Sequence, residues 1–289
     1  MKFSTFKKLI IYKFSKHPKV MSKKSTILYI IKNKCSISRF GDGEINLILK
    51  KEMLFDKNND VNQQRMIEAF ACRNANLLVC LTSAINCKFI NMEKKSYLYN
   101  LEYFTVNYSS FKKNIDFKYK YGDATLTRFY LSNKFKKERK ISKYVSLVKE
   151  MWDQRNIIFI EGSDSKLGMG CDLFDNAKSI RRIVCPNKNC LDIADTIESE
   201  IIKFAKPDDL IVFALGPCAT YLSYKLTIKK NLQCLDLGHI DIEYIWWTNK
   251  AKNKVSIEGK HAAEAHTSET IKIDIDYQKY FSQIVSKID

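Results

Sequence analysis

The strongest constraint on the fold lies in the second half of the chain, where short apolar runs alternate with helix-like stretches at close spacing. Ile157-Ile158-Phe159-Ile160 reads as a strand, followed by the loop Gly162-Ser163-Asp164-Ser165-Lys166-Leu167-Gly168-Met169-Gly170. A second strand over 180–185 ends at Pro186, and a helix is expected over 191–205. Residues 210–215 form a third strand that stops at Gly216-Pro217. A helix over 219–230 then leads to a fourth strand, 234–237, and to Gly238-His239. Strands and helices alternating at this spacing imply an α/β fold, a mostly parallel sheet with right-handed crossovers and flanking helices. Ligands of such sheets bind beyond the carboxyl ends of the strands. The loop after Ile160, Gly216 and the His239-Ile240-Asp241 run all fall there.

The first half is less regular. A helix over 25–34 runs into a strand before Asp42, and a second helix over 62–73 carries Met66, Ile67 and Phe70 on one side. Leu77-Leu78-Val79-Cys80-Leu81 has the unbroken apolarity of a strand buried on both faces. Residues 83–150, rich in Tyr, Phe, Asn and Lys, read as helices and loops covering a site.

Between those elements lies Ser38-Arg39-Phe40-Gly41-Asp42-Gly43-Glu44. If it is the extended end of a strand, Asp42 and Glu44 project to the same side. Two converging carboxylates repel unless a cation sits between them, and hard oxygen ligands suit Mg²⁺ or Mn²⁺ shared with a substrate's phosphates. A solvated Asp-Gly turn is the plainer reading of the same residues.

Other polar features have paired readings too. Gly162 to Gly170 could cradle a phosphate, with amides near Gly168 and the charge of Lys166, or be an ordinary loop; it matches neither the P-loop nor GxGxxG spacing. Gly216-Pro217-Cys218-Ala219-Thr220 joins a strand to a helix N-terminus that would favour a diphosphate, and tight-turn chemistry explains it equally. His239, Asp241 and Glu243 alternate beyond a strand end, where a histidine is either a hydrogen-bonded core residue or a group that carboxylates orient for chemistry. His261 and His266 are expected to be exposed, with Lys260 able to reach a phosphate.

The 289 residues allow one large α/β domain or two small ones. No apolar run approaches the ~18 residues that span a bilayer, and the first residues lack the pattern of a secretory signal. Nine scattered cysteines without a CxxC fit reduced thiols in a cytosol better than a zinc site or a disulfide framework. The formal charge of +17 is concentrated early, since ten lysines precede the first acidic residue, Asp42. Phe3, Phe6, Leu9, Ile10 and Phe14 recur among them at roughly helical spacing. Residues 1–21 are therefore expected to form a basic amphipathic arm ahead of a single domain over 22–289. The arm either meets an anionic surface, at the inner face of the plasma membrane, or packs on its own domain with its lysines solvated. No helix-turn-helix, zinc-finger, RRM or KH signature supports nucleic acid as the partner.

Several of these runs together resemble a known family. Arg39-Phe40-Gly41-Asp42-Gly43-Glu44 is similar to the signature of bacterial glycosyltransferases of the GT-D fold. Gly122-Asp123-Ala124 with Arg128, the run from Gly168 to Ala177, Ala214-Leu215-Gly216-Pro217, and the run from Asp236 to Tyr244 extend the resemblance over about residues 22 to 270. It implies a Rossmann-like sheet, a D-x-E metal motif at Asp42 and Glu44, UDP-sugars as donors and bacterial surface glycans as products. Two departures stand out: the lysine-rich first ~20 residues look like an addition, and Ala263 stands where a polar residue such as Asn is expected.

The residues accommodate that chemistry on their own terms. A sugar leaving a nucleoside diphosphate builds negative charge on the departing phosphate, which Mn²⁺ or Mg²⁺ on Asp42 and Glu44 would stabilise. Arg39, Arg128 and Lys166 are candidate second cations. Amides at Gly41 and Gly216 would approach the nucleotide, and His239 or Asp241 could take the acceptor's proton. The alternatives are a non-catalytic protein that binds nucleotides or polyanions, and a phosphoryl transferase, the latter weakened by the missing P-loop or kinase set. A glycan acceptor would be the second substrate, and the basic arm makes a lipid-linked one plausible.

Overall fold

Because the central strands are apolar on both faces, the sheet must be covered by helices on both sides. The computed structural model describes residues 3–53, 55–86, 92–262, 265 and 268–289. His266 and Ala263, both singled out from the sequence, and one of the nine cysteines, Cys87, lie outside the described residues.

In chain order the elements are α1 (Phe3–Phe14), β1 (Lys19–Val20), α2 (Lys23–Asn33), β2 (Ser36–Phe40), α3 (Asp42–Ile48), α4 (Asp60–Ala71), β3 (Leu77–Leu81), α5 (Lys94–Phe111), β4 (Lys120–Asp123) and α6 (Glu138–Lys149). They continue with β5 (Asn156–Gly162), β6 (Ser179–Cys185), α7 (Ala194–Phe204), β7 (Leu210–Ala214), α8 (Gly216–Lys230), β8 (Gln233–Asp236), α9 (Ile240–Thr248), β9 (Ser256–Ile257), β10 (Thr270–Ile271), α10 (Tyr277–Ser282) and β11 (Ile284–Lys287). Among the described residues nine strands form one sheet in the order β1-β4-β3-β2-β8-β7-β5-β6-β11. Every pairing in it is parallel. The mostly parallel α/β sheet expected from the sequence is therefore present.

Alternation along the strands divides the core in two. Val79, Ile160 and Phe213 pack on one face with α3, α4, α5, α7 and α8. Leu78, Phe159 and Val212 pack on the other with α2, α6 and α9. Local signals set the helix ends. Ser22 and Asn59 cap α2 and α4 by accepting amides of Ser25 and Asn62 at 3.1 and 2.8 Å. Lys34 and Asn231 leave α2 and α8 through left-handed conformations.

Several expectations are corrected. Asp42 and Glu44 are not on an extended segment, because α3 begins at Asp42. Glu44 turns back to accept the Gly41 amide at 2.8 Å, the Glu half of a capping box, and that contact commits the backbone to helix two residues after β2 ends. Helix α8 starts at Gly216 rather than 219, with Pro217 in its first turn. Helix α7 starts at Ala194 rather than 191. Residues 120–123, expected in helix or loop, form a strand because they pair with β3. For residues 1–21, one of the two readings is packing on the chain's own domain, and the described residues do make such contacts. Tyr12 is buried in the core, its hydroxyl donates to the Ala84 carbonyl at 3.1 Å, and β1 joins the sheet beside β4.

Candidate active site

Strands β2 and β8 are neighbours, yet β2 leaves the sheet into α3 on one face while β8 leaves into α9 on the other. Divergence at adjacent carboxyl ends opens a crevice at a topological switch point, where ligands of open α/β sheets bind.

Asp42 and Glu44 stand at the first turn of α3, on the β2 side of this crevice. Burial, with the charges of Asp236 and Asp42 adding to it, raises the Glu44 carboxyl to about 7. Asp42 and Glu44 thus share one corner, and the charge of Asp236 reaches it from β8. Helix α5 closes over it with two tyrosines that the sequence reading missed. The Tyr99 hydroxyl donates to Asp42 Oδ2, and the Tyr103 hydroxyl donates to the Asp42 carbonyl at 3.0 Å. Their i, i+4 spacing on a helix was the available signal.

Arg39, expected to meet phosphate, instead spans the crevice floor. Its guanidinium bonds Asp236 Oδ1 through Nη2 at 2.8 Å and Nε at 3.2 Å, and reaches Thr127 Oγ1 at 2.9 Å. Asp236 also accepts the Thr220 hydroxyl at 3.1 Å, so β2, β8 and α8 share one polar knot. Gly238 permits it: its φ is +52°, and a Cβ there would stand 2.6 Å from Arg39 Nη2. Gly238→Ala should therefore cost about 2 kcal/mol or more, from left-handed strain and displacement of Arg39. Urea unfolding checks this, and a loss under ~0.5 kcal/mol would contradict it.

On the β8 side, His239 is half-buried, and its Nδ1 has no hydrogen-bond partner among the described residues. Burial lowers its pKa to about 4, Asp241 opposes that shift, and the charges of Arg128, Lys260 and His261 add to it. The imidazole is therefore neutral at neutral pH. Asp241 is fully buried and committed: it pairs with Lys260 and accepts amides of Gly168 at 2.9 Å and Ile242 at 3.0 Å. The expectation that Lys260 is free to reach a phosphate is corrected, since its ammonium is buried against Asp241. The Gly168 amide is likewise occupied by Asp241, and that of Gly41 by Glu44.

Lys166 is half-buried with a left-handed φ of 45°. Gly216 adopts φ +54° beside Phe55 and Asp56, opening α8 at the rim. Arg128 lies on the same rim, its carbonyl accepting the Lys23 ammonium. Glu243, buried on α9, accepts amides of Tyr130 and Leu131 at 2.6 and 2.9 Å and is structural. His261 is exposed, as expected. With Phe55, Asp164, Pro186, Asn187 and Lys188 it lines a cleft of ≈ 410 Å³ along the rim.

Residues 37–265 match the family described as "Glycosyltransferase GT-D fold". The chain is 35% identical over 267 residues to the Glycosyltransferase GlyD of Streptococcus pneumoniae serotype 4 (strain ATCC BAA-334 / TIGR4), covering 91% of this chain and 32% of that protein. It is 30% identical to the Probable glycosyl transferase Gly of Streptococcus gordonii over 93% of this chain and 39% of that protein. The chain thus spans well under half the length of these relatives. Among solved structures, it superposes on the highly conserved domain of unknown function 1792, which has a distinct glycosyltransferase fold. The TM-score is 0.88 at 31% identity, with 99% of this chain and 100% of that chain covered. A glycosyltransferase of the same domain type from Streptococcus sanguinis gives a TM-score of 0.85 at 29% identity, over 94% of this chain and 100% of that chain. The 99% coverage takes in the lysine-rich start, which is therefore not an addition peculiar to this chain.

A doubly covered parallel sheet with an acidic crevice at its switch point is the frame of a ligand-binding α/β protein. The chain belongs to the family of glycosyltransferases with the GT-D fold.

Proposed function

We propose that the chain moves a sugar from a nucleoside-diphosphate sugar, with UDP as nucleotide, onto a hydroxyl of a surface-glycan acceptor with the help of Mn²⁺ or Mg²⁺. The observation that carries this reading is the pairing of Asp42 and Glu44 in the first turn of α3 at the switch-point crevice, where burial, with the charges of Asp236 and Asp42 adding to it, holds the Glu44 carboxyl up at about 7, a cost that a bound cation would relieve. The residues fit such an ion. No group of three or more metal-ligating side chains assembles among the described residues. Mg²⁺ and Mn²⁺ suit one or two carboxylates, with water and substrate phosphates as the remaining ligands. Asp42 and Glu44 would hold the ion, which supplies charge stabilisation at the departing diphosphate.

The protein's own groups divide the remaining work. Arg39 and Asp236 hold β2 against β8, so the acidic corner keeps its geometry. Asp241 and Lys260 act as positioning residues that pin the Gly168 loop. Lys166 and the Gly216 end of α8 supply positive potential toward the diphosphate. The ≈ 410 Å³ cleft beside Phe55 and Asn187 has the size of a small-molecule site and adjoins Gly216, which suits the nucleoside. His239, neutral and with Nδ1 unpartnered among the described residues, can accept the acceptor's proton. Arg128 sits close enough to favour its neutral form.

A thermal-shift screen of UDP-sugars with and without Mn²⁺ tests the reading. Ligand at 100 times its Kd adds about 2.7 kcal/mol, a shift of several degrees. The shift is expected only with nucleotide and metal together. Binding that is indifferent to Mn²⁺, with no turnover, would favour the non-catalytic nucleotide-binding alternative.

A further inference from the structure

Helix α1 packs on the domain with the wrong face for an ordinary amphipathic helix. Leu9 and Tyr12 point inward, and Tyr12 stacks on Phe104 and meets Tyr108 of α5 at a tilt. At 100° per residue, Phe6, Ile10 and Phe14 form one i, i+4, i+8 line, with Ile11 beside it, on the side turned away from Leu9 and Tyr12. Phe6, Ile10 and Ile11 are 43–50% exposed and Phe14 is 86% exposed. Lys7, Lys8 and Lys13 are exposed among them.

We propose that this outer face of α1 docks on an anionic bilayer surface, with Phe6, Ile10, Ile11 and Phe14 entering the headgroup boundary and the lysines facing lipid phosphates. Charge selects the occupant. No acidic residue occurs before Asp42, and the chain carries +17, so a second copy would bring like charge against like. An anionic surface instead complements the lysines while accepting the apolar line. The placement also serves the site. Phe104, which stacks on Tyr12, makes an edge contact with Tyr103, whose hydroxyl bonds the Asp42 carbonyl. One helix therefore separates the proposed membrane face from the acidic crevice, a geometry suited to an acceptor held at a lipid surface. The docking itself needs no step of the proposed reaction, so the two readings fail independently.

Co-sedimentation with vesicles tests it, comparing phosphatidylcholine alone with vesicles containing about 30% phosphatidylglycerol, at about 0.15 M salt. The protein should partition at least about tenfold better to the anionic vesicles. Phe6→Ser/Ile10→Ser/Phe14→Ser and Lys7→Gln/Lys8→Gln/Lys13→Gln should each lose about tenfold or more of that binding. Far-UV circular dichroism should show both variants folded. Absent vesicle binding by the wild type, or undiminished binding by the folded apolar triple variant, would overturn the proposal. So would lipid-free self-association that the apolar triple variant abolishes.

Discussion

Asp42→Asn is expected to lower kcat/KM for sugar transfer by about 10³-fold, a loss of about 4 kcal/mol in transition-state stabilisation. The substitution keeps an oxygen to accept the Tyr99 hydroxyl and leaves the Asp42 carbonyl, bonded by Tyr103, untouched, so α3 should stay in place. Glu44→Gln should behave alike. Its amide oxygen can still accept the Gly41 amide, preserving the capping contact while removing the charge that would hold the metal. Because both carboxylates act on one ion, the double variant should be little worse than either single one. Steady-state kinetics beside thermal unfolding separate this from a folding defect. Retention of more than about a tenth of wild-type activity in the double variant would remove the metal from the account.

The second large effect is on stability. Lys260→Met should destabilise the protein by about 3–5 kcal/mol, because Lys260 and Asp241 form an ion pair with both side chains fully buried. Losing the lysine strands a carboxylate whose other contacts are the amides of Gly168 and Ile242. Adding Asp241→Asn, which keeps an acceptor for one of those amides, should recover most of the loss. The double-mutant cycle should then show a coupling above about 2 kcal/mol. Urea unfolding of the four proteins measures it, and a Lys260→Met cost below about 1 kcal/mol would show that Asp241 does not depend on its partner.

The central sheet was legible because apolar runs such as 77–81 and 210–214 have one stable environment, the middle of a doubly covered parallel sheet. Edge strands β1 and β11, and β4 beside β1, were not, since Lys120 or Ser286 becomes strand through a neighbour's hydrogen bonds rather than its own pattern. The acidic pair was found by composition but placed on the wrong backbone. Gly41 with Glu44 three residues later is a helix-start pattern, and it outweighed the extended reading that the preceding strand suggested. Long-range partnership was the least legible feature. Nothing near Arg39 in sequence announces Asp236, and nothing near Asp241 announces Lys260, because both pairs are made by topology. The apolar line on α1 was visible as periodicity, yet only the fold shows that it faces outward while Tyr12 faces in.

The most direct measurement is release of UDP from a UDP-sugar by the wild type, followed with Mn²⁺ and again after chelation, with the Asp42→Asn/Glu44→Gln protein alongside. The account predicts release by the wild type that stops on chelation and returns when Mn²⁺ is restored, and none above background from the variant. Equal release with and without the ion, or from both proteins, would contradict it.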